Sequence, residues 1–519
     1  LQVPLTPLAL VARGMDAFPH LPAVIDDGRL LTYADLRQEA ERLAHGLITW
    51  GLTPGERVAI LSPNVAEALV AYLAVPLAGG VLVPLNTRLV ADDYRYILGH
   101  AECAFALIHP ELSPRALPLA GERPEMRVAI LGEGEPGLPS YRDLTAVPPP
   151  LPFDWRSYPE ANVLSINYTS GTTSRPKGVV QTHRNNHLNA VDMLLATGIG
   201  RGDRHLHVAP LFHANGWGMI WATLAVGAAN VMLPRVSASD IHRRIAEFAV
   251  TSLNATATVL VMLLEERPTQ VRPGVLVIAG GAAPPAGVIR RIETELGWRL
   301  LHMYGLTETT AFLTAFEEPP DYPRLDPAER ARLKARQGTV LPLAGEVRVV
   351  RADMADVACD GLEMGEVVAR GNVIMKGYHR DPDATERAFA RGWFHTGDLA
   401  VRHPDGTVEI RDRAKDVIIS GGENIPSLEV EGVLFTHPGI AEAAVVAAPH
   451  PKWGETPVAF VVPRRGVEVD AEEVIAYCRE RLPHFKAPTR VIFRSELPRT
   501  GSGKVQKFAL RRELADGND

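Results

Sequence analysis

Positions 168–178 read YTSGTTSRPKG, a stretch dense in groups that bind anionic oxygen. Thr169, Ser170, Thr172, Thr173 and Ser174 offer hydroxyl donors, Lys177 and Arg175 offer positive charge, and Gly171 and Gly178 let backbone amides come close to a ligand. This is the chemistry of a loop that holds polyphosphate. It is not a Walker loop, because the GxxxxGK[ST] spacing is absent and Lys177 is followed by Gly178. A plain Ser/Thr/Gly turn is the alternative reading of the same string. Further clusters supply what a nucleotide beside such a loop would need. Tyr304, Gly305, Leu306, Thr307 and Glu308 combine an aromatic face for a base, a hydroxyl for phosphate and a carboxylate for magnesium. Asp398, after Thr396 and Gly397, provides a carboxylate for two sugar hydroxyls, and Asp412, Arg413, Lys415 and Asp416 suit the same sugar and its phosphates. Ser420, Gly421 and Gly422 form a glycine-rich turn, and Lys504 stands on a Gly/Ser loop at 498–504. Each cluster alone is equally well a surface turn.

The elements that must position these residues follow from apolar patterning. Short apolar runs at 57–61, 81–85, 103–108, 127–131, 163–168, 206–210, 230–233, 275–279 and 300–304 alternate with helical patterns, as buried parallel strands do. The expected fold is α/β with open, doubly wound layers, where ligands bind beyond the carboxyl ends of strands. The 168–178 loop sits at such an end. From about 346 the runs shorten and alternate, with a Pro404, Asp405, Gly406 turn, so a small β-rich subdomain is expected to about 413. Beyond it, strands at 417–419, 443–448, 457–462 and 490–493 and helices at 428–436 and 471–481 predict a small, separate α+β domain. The expected organisation is therefore a domain over 1–413 and a second over 414–519.

Composition excludes several classes. A chain of 519 residues, 46% hydrophobic and 22% charged, is neither disordered nor fibrous and is long enough for at least two domains. A net charge of −7 gives no global support for a nucleic-acid partner, although 499–512 is locally basic. Cys103, Cys359 and Cys478 are few, scattered and outside any CxxC pattern, which points to a reducing, cytoplasmic setting without a disulfide framework. No secretory pattern is read at the N-terminus. The uncharged run 68–85 is broken by Pro76, Gly79 and Gly80, so it reads as helix 65–78 followed by strand 81–85 and not as a transmembrane segment.

YTSGTTSRPKG, YGLTE, TGD, DRAKD, ISGGENI and PRTGSGKVQK occur in the order shown by the acyl-adenylate-forming (AMP-binding) superfamily, and the resemblance spans nearly the whole chain. Within it, PLFHANGW (210–217), the segment 330–338 and PHPKWGETP (449–457) look most like the short- and medium-chain acyl-CoA synthetases, the acyl-activating enzymes.

The resemblance implies a two-step ligation in which a carboxylic acid and MgATP give acyl-AMP and pyrophosphate, and CoA then displaces AMP. It implies that Thr169, Ser170, Gly171, Thr172, Thr173 and Lys177 hold the β- and γ-phosphates, that Glu308 and Thr173 bind Mg2+, and that Thr307 touches the α-phosphate. Tyr304 and Gly305 would lie on one side of adenine and Gly281, Ala282 and Ala283 on the other, with Asp398 and Arg413 on ribose. Lys504 would bridge the attacking carboxylate and the α-phosphate. Lys415 would be the hinge about which the small domain rotates, bringing Gly421 and Gly422 in as a slot for pantetheine. His213, Trp217 and Thr256 would border the acid, Trp217 as a gate, while a satisfied core histidine is the equal alternative for His213. His205 and His207 share a strand face, without a third ligand for a metal. The implied substrate is a short- or medium-chain fatty acid, placing the enzyme in fatty acid and lipid metabolism. The alternatives are an aryl acid, an oxidative luciferase-like reaction on the adenylate, or a noncatalytic nucleotide-binding protein. A homodimer is compatible with the resemblance.

Overall fold

The computed structural model describes residues 2–169, 175–268, 270–499 and 505–515. Among these, two large sheets form the body. One is a seven-stranded sheet in which Arg57–Leu61, Val81–Pro84, Cys103–Ile108, Arg127–Ile130 and Val163–Thr169 run parallel, as their apolar runs demand. Its other edge is antiparallel, where Val163–Thr169 turns back into Lys177–Thr182, which then pairs with Gly377–Tyr378. The second sheet has nine strands. Its core of Ala229–Val231, Arg204–Leu206, Ser252–Ala255, Leu276–Ala279 and Arg299–Tyr304 is parallel.

The helix Ala66–Leu77 is apolar all round, and every residue of it except Glu67 is buried between the layers. Pro76 falls in its last turn and does not stop it, because the helix needs only one residue more. No helix of the described residues is long and apolar enough to cross a membrane. One core cluster joins the two sheets, running from Leu8 and Tyr33 through Leu69 and Tyr72 to Trp217, Trp221 and Phe312. A second fills the outer face of the nine-stranded sheet around Leu253, Val277 and Trp298.

An antiparallel four-stranded sheet follows, made of Glu346–Val350, Gly365–Arg370, Phe394–Arg402 and Val408–Arg413. Beyond it a five-stranded sheet, dominated by the long hairpin Ile440–His450 and Gly454–Pro463, carries its own core on both faces. We refer to this C-terminal unit as the lid. The strand expected over 206–210 ends at Leu206. Beyond it His207 N–H still bonds the Val231 carbonyl of the neighbouring strand at 3.0 Å, and other backbone groups of 207–211 bond to two buried asparagine side chains. Asn64 donates to the carbonyls of His207 (2.7 Å) and Ala209 (3.1 Å) and accepts from Leu211 N–H, while Asn254 accepts from the N–H groups of Val208 and Ala209.

Candidate active site

The carboxyl ends of strands from both sheets converge, together with one edge of the four-stranded sheet. From the seven-stranded sheet comes the hairpin of Val163–Thr169 and Lys177–Thr182, with Thr169 paired to Lys177 and Tyr168 to Gly178. Ser170, Gly171, Thr172 and Thr173 lie outside the described residues. Lys177 places its ammonium 4.7 Å from the centre of the Tyr378 ring, and the Tyr378 hydroxyl donates to Glu308 Oε1 at 3.0 Å. Burial, reinforced by the Glu308 carboxylate, pushes the Tyr378 phenol up, so it stays a donor at neutral pH. Tyr378 was not among the residues singled out from sequence; its place depends on pairing with Val179 across the sheet edge.

Two residues of this loop have contacts of their own. The Arg175 guanidinium lies 5.1 Å over the ring of Tyr96, a cation–π contact. Gly178 owes its identity to packing, because a Cβ there would meet Ile166 at 2.9 Å and the Tyr168 ring at 3.0 Å.

The nine-stranded sheet brings Thr256, the 281–283 loop and the 304–308 turn to neighbouring strand ends. Gly281, Ala282 and Ala283 are exposed, beside Tyr304 on the adjacent strand. After Tyr304 the chain doubles back so tightly that a Cβ on Gly305 would lie 2.1 Å from the Ala311 carbonyl oxygen. The turn Thr307–Thr309 is held from the hairpin of Val163–Thr169 and Lys177–Thr182, since Gln181 Nε2 donates to the Thr307 carbonyl at 2.8 Å.

Asp398 and Arg413 are cross-strand partners in the four-stranded sheet. Arg413 Nε meets Asp398 Oδ1 at 2.6 Å, and the Tyr304 hydroxyl donates to Asp398 Oδ2 at 2.6 Å. The carboxylate expected for the sugar hydroxyls is therefore braced at both oxygens. Burial works most strongly against the charge on Arg413, but Asp398, Tyr304, Glu308 and Asp416 together outweigh it and hold the guanidinium above its usual range. Burial lowers the pKa of Lys415, with Arg413 and Arg511 adding to the effect and Asp416 and Asp398 opposing it.

On the opposite side, Trp217 and Phe312 meet edge to face with ring centres 5.3 Å apart, and both are buried. Gly280 lies beneath them; a Cβ there would sit 2.8 Å from Phe312 and 3.5 Å from Trp217. His213 is half-buried at the start of this segment, and Thr256 precedes the helix Ala257–Glu265. His205 and His207 are core residues, bonded to Ser252 Oγ (3.0 Å) and Asn230 Oδ1 (2.7 Å). Among the described residues no group of three or more His, Cys, Asp or Glu side chains could hold a metal.

The lid approaches this side. Lys504 lies outside the described residues. Arg499, just before that run, pairs with Val505 just after it and reaches Thr258 Oγ1 at 3.3 Å, while Arg464 reaches Glu265 at 3.3 Å. The lid thus touches both ends of helix Ala257–Glu265. Near Lys415, Asp412 Oδ2 accepts from Ser427 N–H (2.5 Å) and Oγ (2.6 Å), so a carboxylate of the four-stranded sheet caps a lid helix. Gly421 and Gly422 both have positive φ, +61° and +90°, and close a two-residue hairpin turn. The atoms nearest a Cβ on Gly421 belong to Trp453, the first at 3.0 Å, and among the described residues nothing stands within 4 Å of one on Gly422.

This arrangement, strand ends of two sheets and an edge of a third meeting beside a small C-terminal domain, is that of an adenylate-forming ligase. The model of the AMP-binding enzyme family matches residues 11–379 and that of the AMP-binding enzyme C-terminal domain matches 429–504, so the chain belongs to the AMP-binding enzyme family. It is 39% identical to a peroxisomal butyrate–CoA ligase of Arabidopsis thaliana, over 98% of this chain and 93% of that one. It is 38% identical to an acetate–CoA ligase of Humulus lupulus, over 98% and 94%. Among solved structures, ATP-bound MatB from Rhodopseudomonas palustris superposes with a TM-score of 0.86 at 30% identity, covering 99% of this chain and 100% of that one. The anthranilate CoA ligase AuaEII in complex with anthranoyl-AMP superposes with a TM-score of 0.90 at 25% identity, covering 100% and 98%.

Proposed function

We propose that this chain, an AMP-forming acid–thiol ligase, activates a short- or medium-chain fatty acid. The acid's carboxylate oxygen attacks the α-phosphorus of ATP, pyrophosphate leaves, and the CoA thiolate then attacks the acyl carbonyl and releases AMP. The observation that carries the reading is the convergence of Lys177, Tyr378 and Glu308 with Tyr304, Asp398 and Arg413, facing the closed pair Trp217 and Phe312. Cations and oriented donors are what two anions need in order to meet.

The Trp217–Phe312 contact supports an acyl group that stops short of a long chain, and relatives named for butyrate and acetate are of that class. Mg2+ is usually held by one or two carboxylates plus substrate phosphates, and Glu308, beside the Lys177 cluster, supplies one such carboxylate. When bound, the ion would neutralise phosphate charge. The side-chain-free edge at Gly421 and Gly422, next to half-exposed Trp453, supports a pantetheine path. Cys103 and Cys478 are buried free thiols, which supports a reducing compartment, taken here as the cytoplasm.

The test is pyrophosphate release across acids from acetate to palmitate, with benzoate and cinnamate, with and without CoA and Mg2+. Acids of two to about eight carbons are expected to give the highest kcat/KM, with Mg2+ required. Lys504→Ala should lower acid-dependent ATP–pyrophosphate exchange by several hundredfold while sparing thioester formation from supplied acyl-AMP. Pyrophosphate release with none of the acids would refute the ligase reading, and a preference for benzoate or cinnamate would replace the fatty acid with an aryl one.

A further inference from the structure

Five successive residues beside the acid side of the site lie in the left-handed region of backbone space. They are Ala214 (φ 44°), Asn215 (φ 54°), Gly216 (φ 64°), Trp217 (φ 61°) and Gly218 (φ 78°). Three of the five carry a Cβ, and such a conformation persists only where the surroundings over-determine it.

The determinant is the side chain of Asn215, which is fully buried. Its Nδ2 lies within bonding distance of Ser165 Oγ (2.9 Å), Gln181 Oε1 (3.0 Å) and Asn186 Oδ1 (3.1 Å), and its Oδ1 accepts from Asn167 Nδ2 (3.1 Å). Four partners thus surround one amide, from the hairpin strands Val163–Thr169 and Lys177–Thr182 and the helix His183–Thr197 that follows them. No polar atom of this side chain is left over to act on a substrate. What it does hold is the backbone two residues before Trp217.

The exit of the turn is gripped as well. Asn189 Nδ2 donates to the Trp217 carbonyl at 3.4 Å, and a Cβ on Gly218 would lie 1.9 Å from that nitrogen. The entry is fixed by Asn64 and Asn254 on 207–211. Between these anchors the indole of Trp217 has one place to go, against Phe312 and over Gly280. The same amide network continues through Gln181 to the Thr307 carbonyl, so the wall on the acid side and the turn on the nucleotide side are referenced to one rigid hairpin.

We infer that Asn215 is a specificity-determining positioning residue: through the left-handed turn it sets the indole of Trp217, and thereby the length of acid the enzyme accepts. The inference rests on the reading above that Trp217 borders the acid. Asn215→Gly tests it, because glycine can adopt the left-handed backbone without strain while losing the amide that holds it there. The kcat/KM for the preferred acid should fall about tenfold, chiefly through KM for the acid, and its ratio to an acid two carbons longer should drop by about tenfold, with KM for ATP changing less than about threefold. In a Trp217→Ala background the same substitution should leave the ratio unchanged, since the group it positions is gone. A ratio held within about twofold in the single variant, or an equal drop in the Trp217→Ala background, would overturn the inference.

If Asn215→Gly does not fold, Asn186→Ala removes one acceptor without touching the turn. A shift of the ratio by about threefold then supports the inference and an unchanged ratio refutes it. Wild-type protein that releases pyrophosphate with no acid is a different failure, that of the functional reading itself.

Discussion

Tyr378 shows how a candidate site side chain can be invisible in sequence and plain in space. It follows Gly377 in an unremarkable KGYHR string, yet pairing of Tyr378 with Val179 lays its ring under the Lys177 ammonium and its hydroxyl on Glu308. A phenol bonded to a carboxylate contributes about 1.5–3 kcal/mol in a partly buried setting. Tyr378→Phe is therefore expected to lower ATP–pyrophosphate exchange by roughly tenfold while leaving thioester formation from supplied acyl-AMP nearly unchanged; equal loss of both steps would remove Tyr378 from the phosphate side. Lys177, Glu308, Asp398 and Arg413 stand out in the sequence as candidates because their types suit phosphate and sugar chemistry. The bracing of Asp398 by Tyr304 was not, since an aromatic residue at that position reads first as a stacking surface, and only the 2.6 Å contact shows that its hydroxyl is also committed.

At the scale of elements, the 304–313 reversal is the most demanding piece of backbone in the site. Leu313 N–H bonds the Tyr304 carbonyl at 2.7 Å and Ala311 N–H bonds that of Leu306, which folds the chain flat against itself at Gly305. A methyl group at Gly305 would overlap backbone atoms of Ala311 and Phe312, which cannot rotate away. Gly305→Ala should cost about 3 kcal/mol or more, read as a fall in the urea midpoint, and should raise KM for ATP because Thr307 and Glu308 ride on this turn. A midpoint within error of wild type would show that the reversal relaxes more easily than its geometry suggests.

The parallel strands were legible as apolar runs because both their faces are buried. Three features were not. Ser252–Ala255 carries buried Ser252 and Asn254, which break the apolar signal. The 207–211 segment leaves the sheet because Asn64, over 140 residues away in sequence, holds its backbone. The left-handed turn at 214–218 depends on polar side chains 29 to 50 residues distant from Asn215. In each case the decisive partner lies outside any window over which periodicity can be read.

At the scale of the whole molecule, buried histidines tie distant parts of the body together and are expected to make its stability pH dependent. His183 meets Thr6 Oγ1 at 2.8 Å and so anchors the N-terminal helix; His207 bonds Asn230 between neighbouring strands; His302 lies against the carbonyls of Lys334 and Arg336, docking the helix Pro327–Lys334. Burial lowers all three to about 4, from an ordinary value of 6.5. Between those two values the unfolded chain takes up protons that the folded chain refuses, so the stability these groups contribute is complete above pH 6.5 and is lost as pH falls toward 4. At pH 5 each would cost about 2 kcal/mol. Asp192 acts in the opposite sense, because burial raises its carboxyl to about 6 and the folded state then gains a proton first as pH falls. One such group offsets less than one histidine at pH 5, so the balance is a loss of several kcal/mol, a large share of the roughly 5–15 kcal/mol that holds a domain together. The urea midpoint should be flat from about pH 8 to 7 and fall steeply between 6.5 and 5, a window above the range where most carboxylates titrate. A midpoint that stays level to pH 5 would mean that these imidazoles are hydrated in the native body, and with them the sheet interior that aligns the two halves of the site.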